Sequence, residues 1–173
     1  MRGSLVSSMH EQPNLSSLMK TLLMLPVVGL VAFLSTATAK EIKLADAPAA
    51  VQATIKANSR GGTVDDVEQI QIKGSTVYVA DIDLKGDHDL TLRLDPEGAL
   101  LQTKEDIPLS SVPEPVREAL KTLGGRVDDI DKIIEGEKVT YAVDLERRGQ
   151  PDLNLLLDPA GKILSQTEDK DDD

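Results

Sequence analysis

Leu90-Thr91-Leu92-Arg93-Leu94-Asp95-Pro96-Glu97-Gly98 returns 63 residues later as Leu153-Asn154-Leu155-Leu156-Leu157-Asp158-Pro159-Ala160-Gly161. Both copies alternate leucine with a second residue and then break at Asp-Pro-x-Gly. Alternation with a period of two is the mark of a half-buried strand, and proline suits the second position of a β-turn. Extended outward, the same shift lays Gly61–Asp106 on Gly124–Asp169 without a gap, with 19 identities in 46 positions. Unrelated sequences would give about 3, on a chance identity of roughly one in sixteen, so the chain carries an internal duplication. Tyr78 falls on Tyr141, Asp81 on Asp144, and Val64-Asp65-Asp66 on Val127-Asp128-Asp129. Upstream of the paired glycines the offset becomes 65, so that Pro48, Val51 and Ile55 meet Pro113, Val116 and Leu120.

Each unit opens on a helical pattern. Val116, Ala119, Leu120 and Leu123 lie at helical spacing, Ser111 and Glu114 have capping-box spacing, and Gly124-Gly125 ends the run. In the first unit Asp46 is the expected cap, Val51, Thr54 and Ile55 form the stripe, and Gly61-Gly62 stops it. The period then changes to two. Strands are predicted near Val67–Ile72, through Tyr78, over Leu90–Leu94 and over Leu100–Lys104, and again at the matching positions of the second unit. The expected fold class is α+β: two tandem repeats, each one helix plus a four-stranded antiparallel meander. A unit of about 60 residues buries a marginal core, so the two are expected to form one continuous sheet of about eight strands, with both helices on one face. The predicted boundaries are 1–39 for an N-terminal extension and signal peptide, 40–106 for repeat 1, 107–169 for repeat 2, and 170–173 for an acidic, disordered tail.

Composition narrows the function classes. The 173 residues include 30 acidic against 19 basic, a net charge of −11, and no cysteine. The acidic balance repels phosphate backbones, and with Phe33 as the one Phe and no Trp there is no base-stacking platform. Nucleic acid is therefore not an expected partner. Without cysteine there is no disulfide, thiol nucleophile or zinc–thiolate site. Residues 22–34, LLMLPVVGLVAFL, form an apolar run too short to span a bilayer as a helix, preceded by Lys20 and followed by Ser35-Thr36-Ala37-Thr38-Ala39. This reads as a signal peptide cut after Ala39, with translation starting at Met19. The expected product is periplasmic or secreted, with no stable membrane anchor.

The helix opening with Pro-x-x-Val, the Gly-Gly stop, Tyr-x-x-Asp, Leu-x-Leu-Asp-Pro-x-Gly and Glu-Asp together resemble the PepSY domain. The likeness is to the tandem PepSY-like proteins similar to the β-lactamase inhibitor protein, and it covers about 47–169. It implies a non-enzymatic, exported module that binds a protein partner, inhibiting or regulating a peptidase or another envelope enzyme. It carries no cofactor and no inhibitory residue that transfers to this chain.

Asp81-x-Asp83-x-Lys85-Gly86-Asp87-x-Asp89 resembles the start of an EF-hand loop, but Lys85 takes a ligand position and Leu92 stands where a bidentate glutamate belongs. The acidic excess nevertheless keeps an extracytoplasmic small-ligand or cation-binding protein as the alternative function. Asp65-Asp66 and Asp128-Asp129 read as solvated loop acids rather than a catalytic pair. His88 lacks the partners for a zinc site or a triad. No catalytic, cofactor or metal residue is expected. Tyr78 and Tyr141 are expected beneath the helices. Val77, Val79 and Leu156 fall on the opposite strand face and are the candidate partner surface.

Overall fold

In a computed structural model, residues 38–168 are described, apart from Lys73 and Asp87. The apolar run 22–34, the start at Met19 and the tail 170–173 lie outside those residues. The chain forms β1 (Thr38–Glu41), α1 (Ala49–Asn58), β2 (Thr63–Ile72), β3 (Ser75–Leu84), β4 (His88–Leu94) and β5 (Leu100–Asp106). It continues through α2 (Glu114–Leu123), β6 (Arg126–Glu135), β7 (Lys138–Glu146), β8 (Leu153–Leu157) and β9 (Ile163–Glu168). The strands make one antiparallel sheet in sequence order, β1 to β9.

The register shows that both helices share a face. Leu90 and Leu92 lie in the core under α1, with Val51 and Ile55. Leu90 is opposite Glu105, Glu105 opposite Lys132, and Lys132 opposite Tyr141, which packs in the second core with Val116 and Leu120. Directly opposed residues project to the same side of a sheet. Tyr78 and Tyr141 are therefore on the helix side, and both are buried. The expected stripes hold: Val51, Ile55, Val116 and Leu120 are buried, while Ala119 and Leu123 pack against the second core.

Three local expectations are corrected. Among the described residues the sheet has nine strands rather than about eight. The added strand, β1, pairs with β2 as β5 pairs with β6: Thr38, Ala39, Lys40 and Glu41 face Gln71, Ile70, Gln69 and Glu68, at the repeat equivalents of Thr103–Asp106 facing Ile134–Asp131. Even the next hydrogen bond matches, Ile42 N–H to the Val67 carbonyl at 2.8 Å and Ile107 N–H to that of Ile130 at 2.9 Å. Ala39, the predicted cleavage residue, sits within β1 opposite Ile70.

Second, neither Ser111 nor Asp46 caps a helix. Each ends a short 3-10 turn, Leu109–Ser111 or Leu44–Asp46, and the helix begins only after Pro113 or Pro48. Proline keeps the residue before it extended, which delays the helical turn. Third, Asp65-Asp66 and Asp128-Asp129 are in strands, not loops. A register shift between Val64 and Asp66, and between Val127 and Asp129, inserts one extra residue there. Such a bulge breaks the period-two signal on which strand prediction rests.

The Asp-Pro-x-Gly turns brace the helices. A Cβ on Gly161 would stand 2.3 Å from the Pro115 carbonyl oxygen, and one on Gly98 2.7 Å from the Ala50 carbonyl carbon. Gly161 also has φ +81°. Gly136, at φ +59°, has open space around its missing Cβ. Gly136→Ala is therefore expected to cost only the left-handed backbone penalty, roughly 1–2 kcal/mol. Gly161→Ala should cost roughly a further 1–3 kcal/mol by forcing the turn off the first turn of α2. Urea denaturation of the two variants checks the order; equal losses would contradict the contact.

Candidate functional site

The helices cover one side of the sheet. Val77, Val79 and Leu156 all project from the other, but they do not form one patch. Val77 lies opposite Ile70, and Val79 between Glu68 and Arg93. Leu156, on β8, lies between Ala142 and Ser165. Five strand spacings, about 24 Å, separate β3 from β8. Further apolar residues share this open side, among them Ile72 opposite Ser75 and two isoleucines at equivalent repeat positions. Ile70 extends the Val77 cluster, and its repeat equivalent Ile133 lies between Lys104 and Thr140. Their identity across the duplication was the available signal for them. All six of these aliphatic residues are half-buried.

Acidic residues separate these apolar spots, and they are arranged as directly opposed pairs. The register sets Glu41 against Glu68, Asp66 against Asp81, Asp83 against Asp89, Asp106 against Asp131, and Asp129 against Asp144. Opposed residues have Cβ atoms about 4.5–5.5 Å apart, and like charges so placed destabilise a sheet. Two of these arrangements occur in both repeats: Glu41–Glu68 is equivalent to Asp106–Asp131, and Asp66–Asp81 to Asp129–Asp144.

Some of the repulsion is offset locally. Thr91 Oγ1 donates to Asp81 Oδ1 at 2.7 Å. Lys104 Nζ is 2.8 Å from Asp131 Oδ2, and hydrogen bonding to Asp131 raises the Lys104 pKa against the opposing effect of burial. His88 Nδ1 lies 2.9 Å from Asp106 Oδ2, so the histidine hydrogen-bonds a strand acid. Asp129 is less well served. Burial, followed by the charges of Asp131, Asp106 and Asp144, pushes its carboxyl above the ordinary value, while the Ile130 N–H pulls the other way.

The EF-hand-like residues do not converge around a cation. Asp81 and Asp83 belong to β3 and Asp89 to β4, with Gly86 in the turn between the strands. Among the described residues no group of three or more His, Asp or Glu side chains is placed to hold a metal ion. Burial alone raises the Tyr141 phenol pKa, as expected of a core tyrosine. A groove of about 570 Å³ lies beside α2 where the chain leaves β5, lined by His88, Ile107, Leu109, Leu120, Arg126 and Val127 among others. Sequence reasoning missed it, because its walls come from both repeats. Among the described residues no helix is long and apolar enough to cross a membrane.

An antiparallel sheet with both helices on one side and a broad open face defines a duplicated α+β module of the tandem kind. The model of the beta-lactamase-inhibitor-like, PepSY-like family matches the chain twice, over residues 35–102 and 100–165, and the chain belongs to that family. The two matches meet at the start of β5, the strand that joins the repeats. Among solved structures, the chain is similar to a DUF2874 family protein of Bacteroides uniformis, at 25% identity and a TM-score of 0.56, covering 70% of this chain and 89% of that one. A Bacteroides eggerthii protein described as periplasmic matches at 23% identity and a TM-score of 0.57, over 70% of this chain and 88% of its own. A BLIP-like protein of Bacteroides fragilis matches at 20% identity and a TM-score of 0.53, over 73% and 91%. The last two likenesses concern the fold. No curated protein matches the chain.

The opposed acids give a pH prediction. A carboxyl whose folded pKa is raised favours the folded state when protonated, so its contribution is present below the unfolded value of 3.8 and lost as pH rises through the higher folded value. Asp129→Asn should therefore stabilise by roughly 0.2–1 kcal/mol at pH 7, the range for a cross-strand pair. At pH 3 the gain should disappear. Urea titrations at both pH values check this; an unchanged gain at pH 3 would mean that charge is not its origin.

Proposed function

We propose that this chain is an exported, non-enzymatic protein-interaction module that binds its partner through the open face of the sheet, inhibiting or regulating a peptidase or another envelope enzyme. The observation that carries the proposal is the face itself: among the described residues, nine strands with helices on one side only, and Val77, Val79, Ile70, Ile133 and Leu156 projecting from the other. Apolar residues on an open sheet face add little to folding. They offer area that a partner can bury at about 25 cal/mol per Å². Membership of a beta-lactamase-inhibitor-like family supports a binding rather than a catalytic role. The periplasmic description of the Bacteroides eggerthii relative supports export, as does the signal-like segment ending at Ala39.

In this reading the mature protein begins at Lys40 and consists of repeats 40–106 and 107–169. Cleavage after Ala39 retains Lys40 and Glu41 opposite Gln69 and Glu68, together with the Ile42–Val67 hydrogen bond. The alternative, a small-ligand protein, rests on the groove beside α2.

The test is affinity capture from envelope extract with the 40–173 protein and its variants. Val79→Gln with Leu156→Gln should fold normally and lose the captured protein. Leu109→Gln, in the groove, should capture it as the wild type does. Capture abolished by Leu109→Gln and untouched by the face variant would replace the open face with the groove.

A further inference from the structure

The open face carries a cost that folding alone does not explain. Five pairs of carboxylates stand directly opposed on it, and two of the pair types occur in both repeats. A stable sheet would place opposite charges, threonines or β-branched residues at such positions. Among the described residues the cations that share the face are few. Arg93 lies opposite Val79 and Gln102, Lys104 is engaged by Asp131, Lys138 lies opposite Glu135, and Arg126 is engaged by Glu146 at 2.7 Å and Asp128 at 2.9 Å. The remaining carboxylates outnumber them and lie between the apolar spots, so an object that buries those spots must cover the acids as well. A neutral or acidic surface would strand desolvated carboxylates against itself, whereas a basic one would supply their counter-charges.

We infer that the partner of the open face is a basic protein surface, whose lysine and arginine side chains reach the Asp66–Asp81 and Asp83–Asp89 pairs while its aliphatic parts cover Val77, Val79 and Leu156. This rests on the interaction reading above and adds the partner's charge class to it. Lysine and arginine suit the arrangement because their stems bury against aliphatic surface while their heads reach the flanking carboxylates. The opposed acids also stop two copies of the chain from joining through this face, since each would present acid to acid.

The probe is a labelled ten-residue peptide alternating lysine and threonine, titrated by fluorescence anisotropy against the 40–173 protein at 50 mM salt. Its glutamate–threonine counterpart is the reference. A face variant combines Asp66→Asn, Asp81→Asn, Asp83→Asn and Asp89→Asn. A control of equal charge change combines Glu97→Gln, Glu114→Gln, Glu118→Gln and Glu137→Gln, all at exposed positions outside the sheet. The face variant relieves two opposed pairs and should melt no lower than the wild type, so folding does not confound it.

The expected result is binding of the lysine peptide only, at least tenfold weaker for the face variant and changed less than twofold for the control. The affinity should also fall at least tenfold between 50 and 300 mM salt. Equal weakening of both variants would show that net charge alone attracts the peptide and would overturn the inference, as would no binding by the wild type. The interaction reading fails separately. A captured partner that is lost from Val79→Gln/Leu156→Gln yet stays bound to the wild type at high salt keeps the open face as the site and rules out a basic partner.

Discussion

The structure depends on the pairing of β5 with β6. Thr103 to Asp106 face Ile134 to Asp131, and that ladder is where the duplicated halves become one sheet. Two short meanders without it would each present an unpaired edge and close a small core alone. With it, the register is continuous from β1 to β9, and the side chosen by one helix fixes the side available to the other. Leu90, Glu105, Lys132 and Tyr141 lie along one line across the junction, so both helices lie on one face. The asymmetry between a covered and an open face follows from that ladder, and the functional proposal rests on the asymmetry.

The ladder also accounts for β1. The strand that precedes α1 occupies, relative to β2, the place that β5 occupies relative to β6. Each long strand is thus paired over its second half by a strand that then departs through a 3-10 turn into a helix. The first residues of β2 and β6 extend beyond that partner, and in the second repeat the space beside them is the groove under α2. Among the described residues β9 is the last strand of the sheet, and its side chains after Ile163 are exposed and largely polar, a surface suited to an edge.

Much of this was legible in the sequence because the chain writes its pattern twice. The leucine alternation, the Asp-Pro-x-Gly turns and the stripes at Val51/Ile55 and Val116/Leu120 all reappear in the structure as strands, turns and buried helix faces. The failures have physical causes. The bulges at Asp65 and Asp128 break the alternation, which hid the first third of β2 and β6. The prolines at 48 and 113 moved the helix starts past the residues with capping spacing. Thr38–Glu41 is too short and polar to read as a strand, and it overlaps the signal-like segment. The open-face residues Val77, Val79 and Leu156 followed from alternation alone. The opposed acids did not, since cross-strand partners become visible only once the register is known.

The central claim is that, among the described residues, helices cover one side of the sheet and leave the other free. The most direct measurement is methyl NMR of the 40–173 protein with a soluble, neutral gadolinium chelate. The account predicts strong broadening of the Val77, Val79, Ile133 and Leu156 methyls, with those of Val51, Val116, Leu92 and Leu155 protected. Equal protection of both sets would show that something covers the open face, and would contradict the account.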